Sequence, residues 1–115
     1  MPLCQIVCNV DFDKATANAF LSDVEKGLSK LLGKPVQYIN VSLTRGEMRH
    51  GGSNEPAASV CVNSIGNITT ETNNKICVEL VTFCQNHLNI PVDRVFFCFS
   101  DMDAANVGIG SRVFA

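Results

Sequence analysis

The sequence predicts an α/β chain of the α+β kind, with two βαβ units in tandem forming a four-stranded mixed sheet with both helices on one face. Three observations carry this. Hydrophobic periodicity runs strand, helix, strand, and then repeats that order. Pro35-Val36 and Pro91-Val92 stand 56 positions apart, and Cys4–Val10 and Ser59–Ile65 are offset by nearly the same distance, the trace of an internal duplication. Finally, 115 residues at 46% hydrophobic content suit one core and a single domain spanning residues 1–115.

Leu3 to Val10 reads as the first strand, with Cys4, Ile6, Cys8 and Val10 on one face. A helix follows from about Lys14 to Leu32, with Asp13 as its cap and Phe20, Leu21, Val24, Leu28 and Leu31 as its buried stripe. Gly33 stops it in the left-handed conformation and Pro35 forbids continuation. Tyr38 to Thr44 alternates cleanly, with Ile39, Val41 and Leu43 inward, so the Pro35–Tyr38 step is expected to begin this strand. Ala58 to Ile65 is the third strand. The second helix runs from about Thr72 to Leu88, with Ile76, Leu80, Phe83 and His87 on one stripe, and Asn89 and Pro91 end it. Val95 to Ser100 is the fourth strand, with Val95, Phe97 and Phe99 inward. His87 reads as a helix-end residue with a partly covered ring, not a ligand.

Right-handed crossovers join the parallel strands of each unit and put both helices on one side. The other side carries Leu3, Gln5, Val7, Tyr38, Ser59, Cys61, Phe96 and Cys98. This face is too apolar to stand free, so an oligomer that covers it is expected. RNA-binding sheet domains share the strand–helix order but set aromatics among basic residues. Here one Tyr and one Phe stand with little positive charge, which argues against that function.

A net charge of −2 with scattered basic residues gives no footprint for nucleic acid or an anionic membrane. No apolar stretch approaches the ~20 residues of a membrane-spanning helix. Asp11, Asp13 and Lys14 come too early for a secretory signal, so the default compartment is the cytosol. The six cysteines contain no Cys-x-x-Cys pair and make no ligand cluster with His50 or His87, so they read as reduced, structural thiols. No metal and no cofactor is expected. Asn40-Val41-Ser42 and Asn67-Ile68-Thr69 match the glycosylation sequon, which has no meaning without export.

Met1-Pro2 holds the sharpest chemical signal. Pro2 is small enough for removal of Met1 to be expected, which leaves a secondary amine held in a ring, a base with little rotational freedom to lose. Pro2, Gly33-Lys34-Pro35, Gly51-Gly52-Ser53 and Ser64-Ile65-Gly66 all fall at predicted strand ends. With Asp101-Met102-Asp103-Ala104-Ala105-Asn106-Val107-Gly108 and Phe114-Ala115, they give a chain that resembles the macrophage migration inhibitory factor family of the tautomerase superfamily. The resemblance spans essentially the whole sequence.

It implies a homotrimer whose sheets wrap a central barrel, with a pocket around the terminal proline at each subunit boundary. It implies isomerase chemistry, keto–enol tautomerisation of phenylpyruvate-like or dopachrome-like aromatic acids. It also implies cytokine-like proteins of the inflammatory response, both cytoplasmic and secreted without a signal peptide, that engage the invariant-chain receptor. Pro2 is then the catalytic base. An α-amino group titrates at about 7.7–8.0 and proline is more basic, so burial and the Lys34 cation must lower it. Lys34 and the Ile65 backbone N–H would hold substrate oxygens, and Ser64, Tyr38, Val107 and Phe114 would wall a flat substrate.

Vertebrate members have Tyr, Asn and Trp where this chain has Phe96, Cys98 and Ile109. A hydroxyl and an amide lent by the neighbouring subunit are thus missing, which predicts a more apolar pocket and activity reduced some tens-fold, at about 1–3 kcal/mol per lost partner. Arg49 and His50 replace apolar residues near the pocket rim, with no effect assigned. Ala57-Ala58-Ser59-Val60 stands where the family has Cys-x-x-Cys, so its thiol–disulfide activity is not carried over. Two other readings stand beside the enzyme: a receptor-binding cytokine whose pocket has little catalytic role, and a Pro2 nucleophile forming an iminium. Asp11, Asp13 and Lys14 offer no clear match to the charged first-loop residues by which relatives engage chemokine receptors.

Overall fold

In the computed structural model, which describes residues 1–115, both strand–helix–strand units are present. Strand β1 (Pro2–Cys8) leads to helix α1 (Lys14–Leu32) and strand β2 (Asn40–Arg45). Strand β3 (Ala58–Ser64), helix α2 (Thr70–Leu88) and strand β4 (Val95–Asp101) repeat the order. A hairpin of β5 (Gly108–Ile109) and β6 (Arg112–Val113) follows.

The sheet order is β2-β1-β3-β4. Each unit pairs its own strands in parallel, while β1 and β3 meet antiparallel with Pro2 opposite Ser64 and Cys8 opposite Ala58. The units are therefore related by a local two-fold, and the start of β1 lies beside the end of β3. That neighbourhood positions everything described below.

Local signals set the element ends. The Asp13 carboxylate accepts the Thr16 N–H at 2.7 Å, and Gly33 closes α1 at φ 65°. Helix α2 starts two residues before its periodicity predicts, because the Thr69 hydroxyl accepts the Thr72 N–H at 3.2 Å. Asn89 closes it at φ 55°.

The strand predicted from Tyr38 begins instead at Asn40. Pro35, fixed at φ −63°, opens one 3₁₀ turn over Val36–Tyr38, with the Tyr38 N–H donating to the Pro35 carbonyl at 3.1 Å. Pro91 does the same for Val92–Arg94. Tyr38 therefore sits in the turn and not on the open sheet face. Ile65 lies just past the end of β3.

Cys4, Ile6 and Cys8 of β1 and Ala58, Val60 and Val62 of β3 are buried under Phe20, Val24, Leu28, Ile76 and Leu80. Leu21, Leu31 and Phe83 are only half-buried, and Leu32, Cys84, Leu88 and Ile90 complete the core in their place. The helices approach closely at Gly27, where a Cβ would meet Glu79 Oε1 at 2.9 Å and the Phe83 ring at 3.3 Å. His87 Nε2 lies 2.7 Å from Asp23 Oδ2, tying α2 to α1.

The opposite sheet face is open. Gln5, Cys61, Phe96 and Cys98 are exposed there, with Leu3, Val7 and Ser59 half-buried. All six cysteines are free thiols. No helix is long and apolar enough to cross a membrane.

Candidate active site

Pro2 is fully buried at the head of β1, with Ser64 directly opposite on β3. Past Ser64 the chain bends through Ile65, Gly66 and Asn67, and three contacts hold this bend. The Met102 N–H donates to the Ser64 carbonyl at 2.8 Å and the Gly66 N–H to Asp101 Oδ1 at 3.0 Å. Asn67, at φ 60°, donates from its side chain to the Leu32 carbonyl at 2.7 Å. The end of β3 is thereby fastened to the end of α1.

That junction brings Lys34 inward. Gly33 reverses the chain, and Lys34 Nζ reaches across to donate to the Ile65 carbonyl at 3.1 Å. The ammonium is part-buried and makes no ion pair. A helix-end lysine free in solvent would be neither part-buried nor bonded to a carbonyl across the site. Its charge is felt next door: the Met1 amino group is held below its ordinary range, first by burial and then by the Lys34 cation.

A cavity of about 600 Å³ opens here, with Lys34, Ile65, Tyr38, Ile109, Arg112 and Phe114 among its lining residues. A second hollow of about 290 Å³ is lined by Pro2, Val107, Tyr38, Ile109 and Phe114 among others. Met1 lines both. The Phe114 ring stands edge-on to Tyr38 at 5.9 Å, and the Phe114 N–H donates to the Val107 carbonyl at 2.9 Å. The last residues thus form an aromatic wall. Chemically, the arrangement offers a carboxylate two cations and a planar ring an apolar slot.

The family model for macrophage migration inhibitory factor matches residues 1–115. The chain belongs to the macrophage migration inhibitory factor family. It is 36% identical to the Xenopus laevis protein and 34% identical to the Mus musculus protein, over the full length of each. Among solved structures it is similar to the Toxoplasma gondii factor, at TM-score 0.94 and 38% identity over 96% of this chain and 98% of that one. A Prochlorococcus marinus homologue gives TM-score 0.93 and 30% identity over 98% and 99%. The four-stranded mixed sheet with two helices is the fold of this family.

Of the residues singled out from the sequence, Pro2, Lys34, Tyr38, Ile65, Val107, Ile109 and Phe114 line these two hollows. Ser64 does not. It is fully buried on the same side as Val60 and Val62, and its hydroxyl has no partner. Phe96 and Cys98 are on the outer strand β4 and line neither hollow. Phe96 is 63% exposed, with the His50 ring 6.5 Å away. They could meet such a pocket only in a neighbouring copy.

Sequence reasoning missed Arg112. It lines the larger cavity from β6, makes no ion pair, and adds a second cation to the wall opposite no acidic side chain. The signal was a two-residue loop, Gly110-Ser111, between Ile109 and Arg112. Gly110 at φ 61° in the first loop position fits a II′ hairpin.

Proposed function

We propose that this chain is a keto–enol tautomerase of aromatic α-keto acids, of the phenylpyruvate or dopachrome type, with Pro2 as general base once Met1 is removed. The observation that carries this is the cavity at the head of β1, which gathers Lys34, Arg112 and the aromatic rings of Tyr38 and Phe114 beside the Met1 amino group, itself held below its ordinary range. Met1 lines both hollows, so its loss would join them and bare the Pro2 nitrogen. The same burial and the same Lys34 charge would then act on that nitrogen, one residue further in. A neutral secondary amine at neutral pH can take a proton from the carbon next to the keto group and return it to oxygen or carbon.

Lys34 and Arg112 suit the substrate carboxylate, and Tyr38, Phe114, Val107 and Ile109 its ring. The Ile65 backbone N–H would support the developing enolate oxygen. The open sheet face supports assembly into a homotrimer, in which Phe96 and Cys98 would border a neighbour's pocket. Size-exclusion chromatography with light scattering should then give three times the 12.4 kDa chain mass.

The deciding experiment is steady-state turnover of phenylpyruvate and dopachrome methyl ester, with intact mass measured on the same sample. Wild type should lack Met1 and turn over, and Pro2→Gly should lose about 100-fold in kcat. Equal activity in a preparation that retains Met1 would overturn Pro2 as the base. Borohydride trapping of a substrate adduct would replace proton transfer by an iminium.

A second reading is favoured by Phe96 and Cys98, which remove a hydroxyl and an amide from the boundary, and by Ile109, which removes an aromatic wall. On this reading the chain is a cytokine homologue, exported without a signal peptide, that binds a cell-surface receptor of the invariant-chain type. Its pocket has little physiological role. Pro2→Gly separates the two, because receptor binding should survive it.

A further inference from the structure

Four of the six thiols are accounted for by packing. Cys4, Cys8 and Cys84 are buried and Cys77 is half-buried on α2. Burial pushes Cys4 and Cys84 up to about 12 and raises Cys8 and Cys77 as well, which disfavours their thiolates. Cys61 and Cys98 are different. Both are exposed, and they are register partners on the adjacent parallel strands β3 and β4. Directly opposed residues of paired strands point to the same side of the sheet, here the open one. Neighbouring strands run about 4.7–4.9 Å apart, within the roughly 4.4–6.8 Å between Cα atoms that a disulfide spans. Neither thiol is a hydrogen-bond donor to another group, and the core makes no use of them.

We infer that Cys61 and Cys98 are a vicinal dithiol that closes to a reversible intrachain disulfide when the protein meets a peroxide. The thiolate of one cysteine attacks a peroxide oxygen and the O–O bond breaks. A sulfenic acid forms on that sulfur, and one water leaves once its oxygen is protonated. The second thiolate attacks the sulfenic sulfur, forms the S–S bond and expels hydroxide, which leaves as the second water. The two sulfurs together lose two electrons and hydrogen peroxide gains them. Directly opposed strand positions set Cβ atoms about 4.5–5.5 Å apart, at or beyond the 3.5–4.5 Å of a relaxed disulfide, so closure must draw the two strands together, and such an exposed bond is readily reduced again. Closure would clamp β4, the outer strand, to β3 across the middle of both. This inference is independent of any catalytic role for Pro2, and in the proposed homotrimer Cys98 would border a neighbour's pocket, where a peroxide, smaller than an aromatic acid, still reaches it.

The chain is suited to a direct test, because trypsin should release His50–Lys75 and Val95–Arg112, each with a single cysteine. Native protein is treated with a few equivalents of hydrogen peroxide, unfolded in an alkylating reagent, and digested without reductant. The expected product is the two peptides joined through Cys61 and Cys98, lighter by two hydrogens than their sum, and separated by dithiothreitol. Protein carrying Cys61→Ser should give no joined peptide and instead an oxidised Cys98, and Cys98→Ser should give the reciprocal result. Recovery of both peptides fully alkylated, or of sulfinic acid with no crosslink, would overturn the inference. A crosslink between two chains, seen as a dimer on a non-reducing gel, would overturn it equally.

Discussion

The two halves of this molecule share one backbone and use it differently. Gly33 and Asn89 close their helices with nearly the same geometry, φ 65° and ψ 37° against φ 55° and ψ 36°. The next N–H returns to the helix in each case, Lys34 to Ser29 at 3.1 Å and Ile90 to Cys84 at 3.3 Å, and a proline follows. Between cap and proline one half holds Lys34, at a cavity, and the other Ile90, fully buried. The strand starts differ in the same way. Ala58 is preceded by Ala57, which is fully buried with its N–H on Asn9 Oδ1 at 2.8 Å. At the corresponding place before Pro2 stands Met1, which lines two hollows. One end of the sheet is sealed by continuous chain, and the other opens on a cavity. Duplication supplies the frame, and a few departures from its symmetry supply the opening.

The comparison breaks most plainly if its two positions are interchangeable. Ile90→Lys should put an unpaired cation in the core and cost about 3–5 kcal/mol, read as a fall in the urea midpoint. A loss under about 1 kcal/mol would mean that the second end is not sealed. Lys34→Met should keep the fold but lower kcat/KM by about 10-fold or more, the value of a hydrogen bond to a charged partner. It also moves the pH profile. A cation beside the amine favours its neutral form, so removing that cation raises the amine's pKa and shifts the rising limb of kcat/KM to higher pH. An unmoved limb would separate Lys34 from the base. Phe96→Tyr asks whether a second copy completes the hollow end, and a restored hydroxyl should raise kcat/KM about 5-fold. No gain would leave Phe96 outside the pocket. Arg112→Ala should raise KM about 3-fold with kcat unchanged, as suits an exposed charge on a carboxylate. A change in kcat alone would contradict an anchoring role.

Helix α1 was legible to the residue because Asp13 and the Gly33–Pro35 step are strong local signals on a long amphipathic run. The duplication showed in the repeated Pro-Val steps, although both prove to be 3₁₀ turns that precede the strand. Two-residue strands carry no alternation, so β5 and β6 were invisible and nothing drew attention to Arg112. Pro2 stood out by its place behind Met1 and Lys34 through family resemblance, neither of them by spacing. Their meeting depends on the antiparallel pairing of β1 with β3, which no local pattern encodes. The same limit hid the pairing of Cys61 with Cys98, since register is a property of the assembled sheet.

The closing hairpin has only two cross-strand rungs, Gly108 with Val113 and Ile109 with Arg112. So short a ribbon is marginal alone. It depends on the Phe114 ring against Tyr38 and on the Phe114 amide at Val107. A ligand in the cavity that Val113 and Phe114 line would therefore stiffen the tail. Deuterium uptake at Val113 and Phe114 should report occupancy before any product is made.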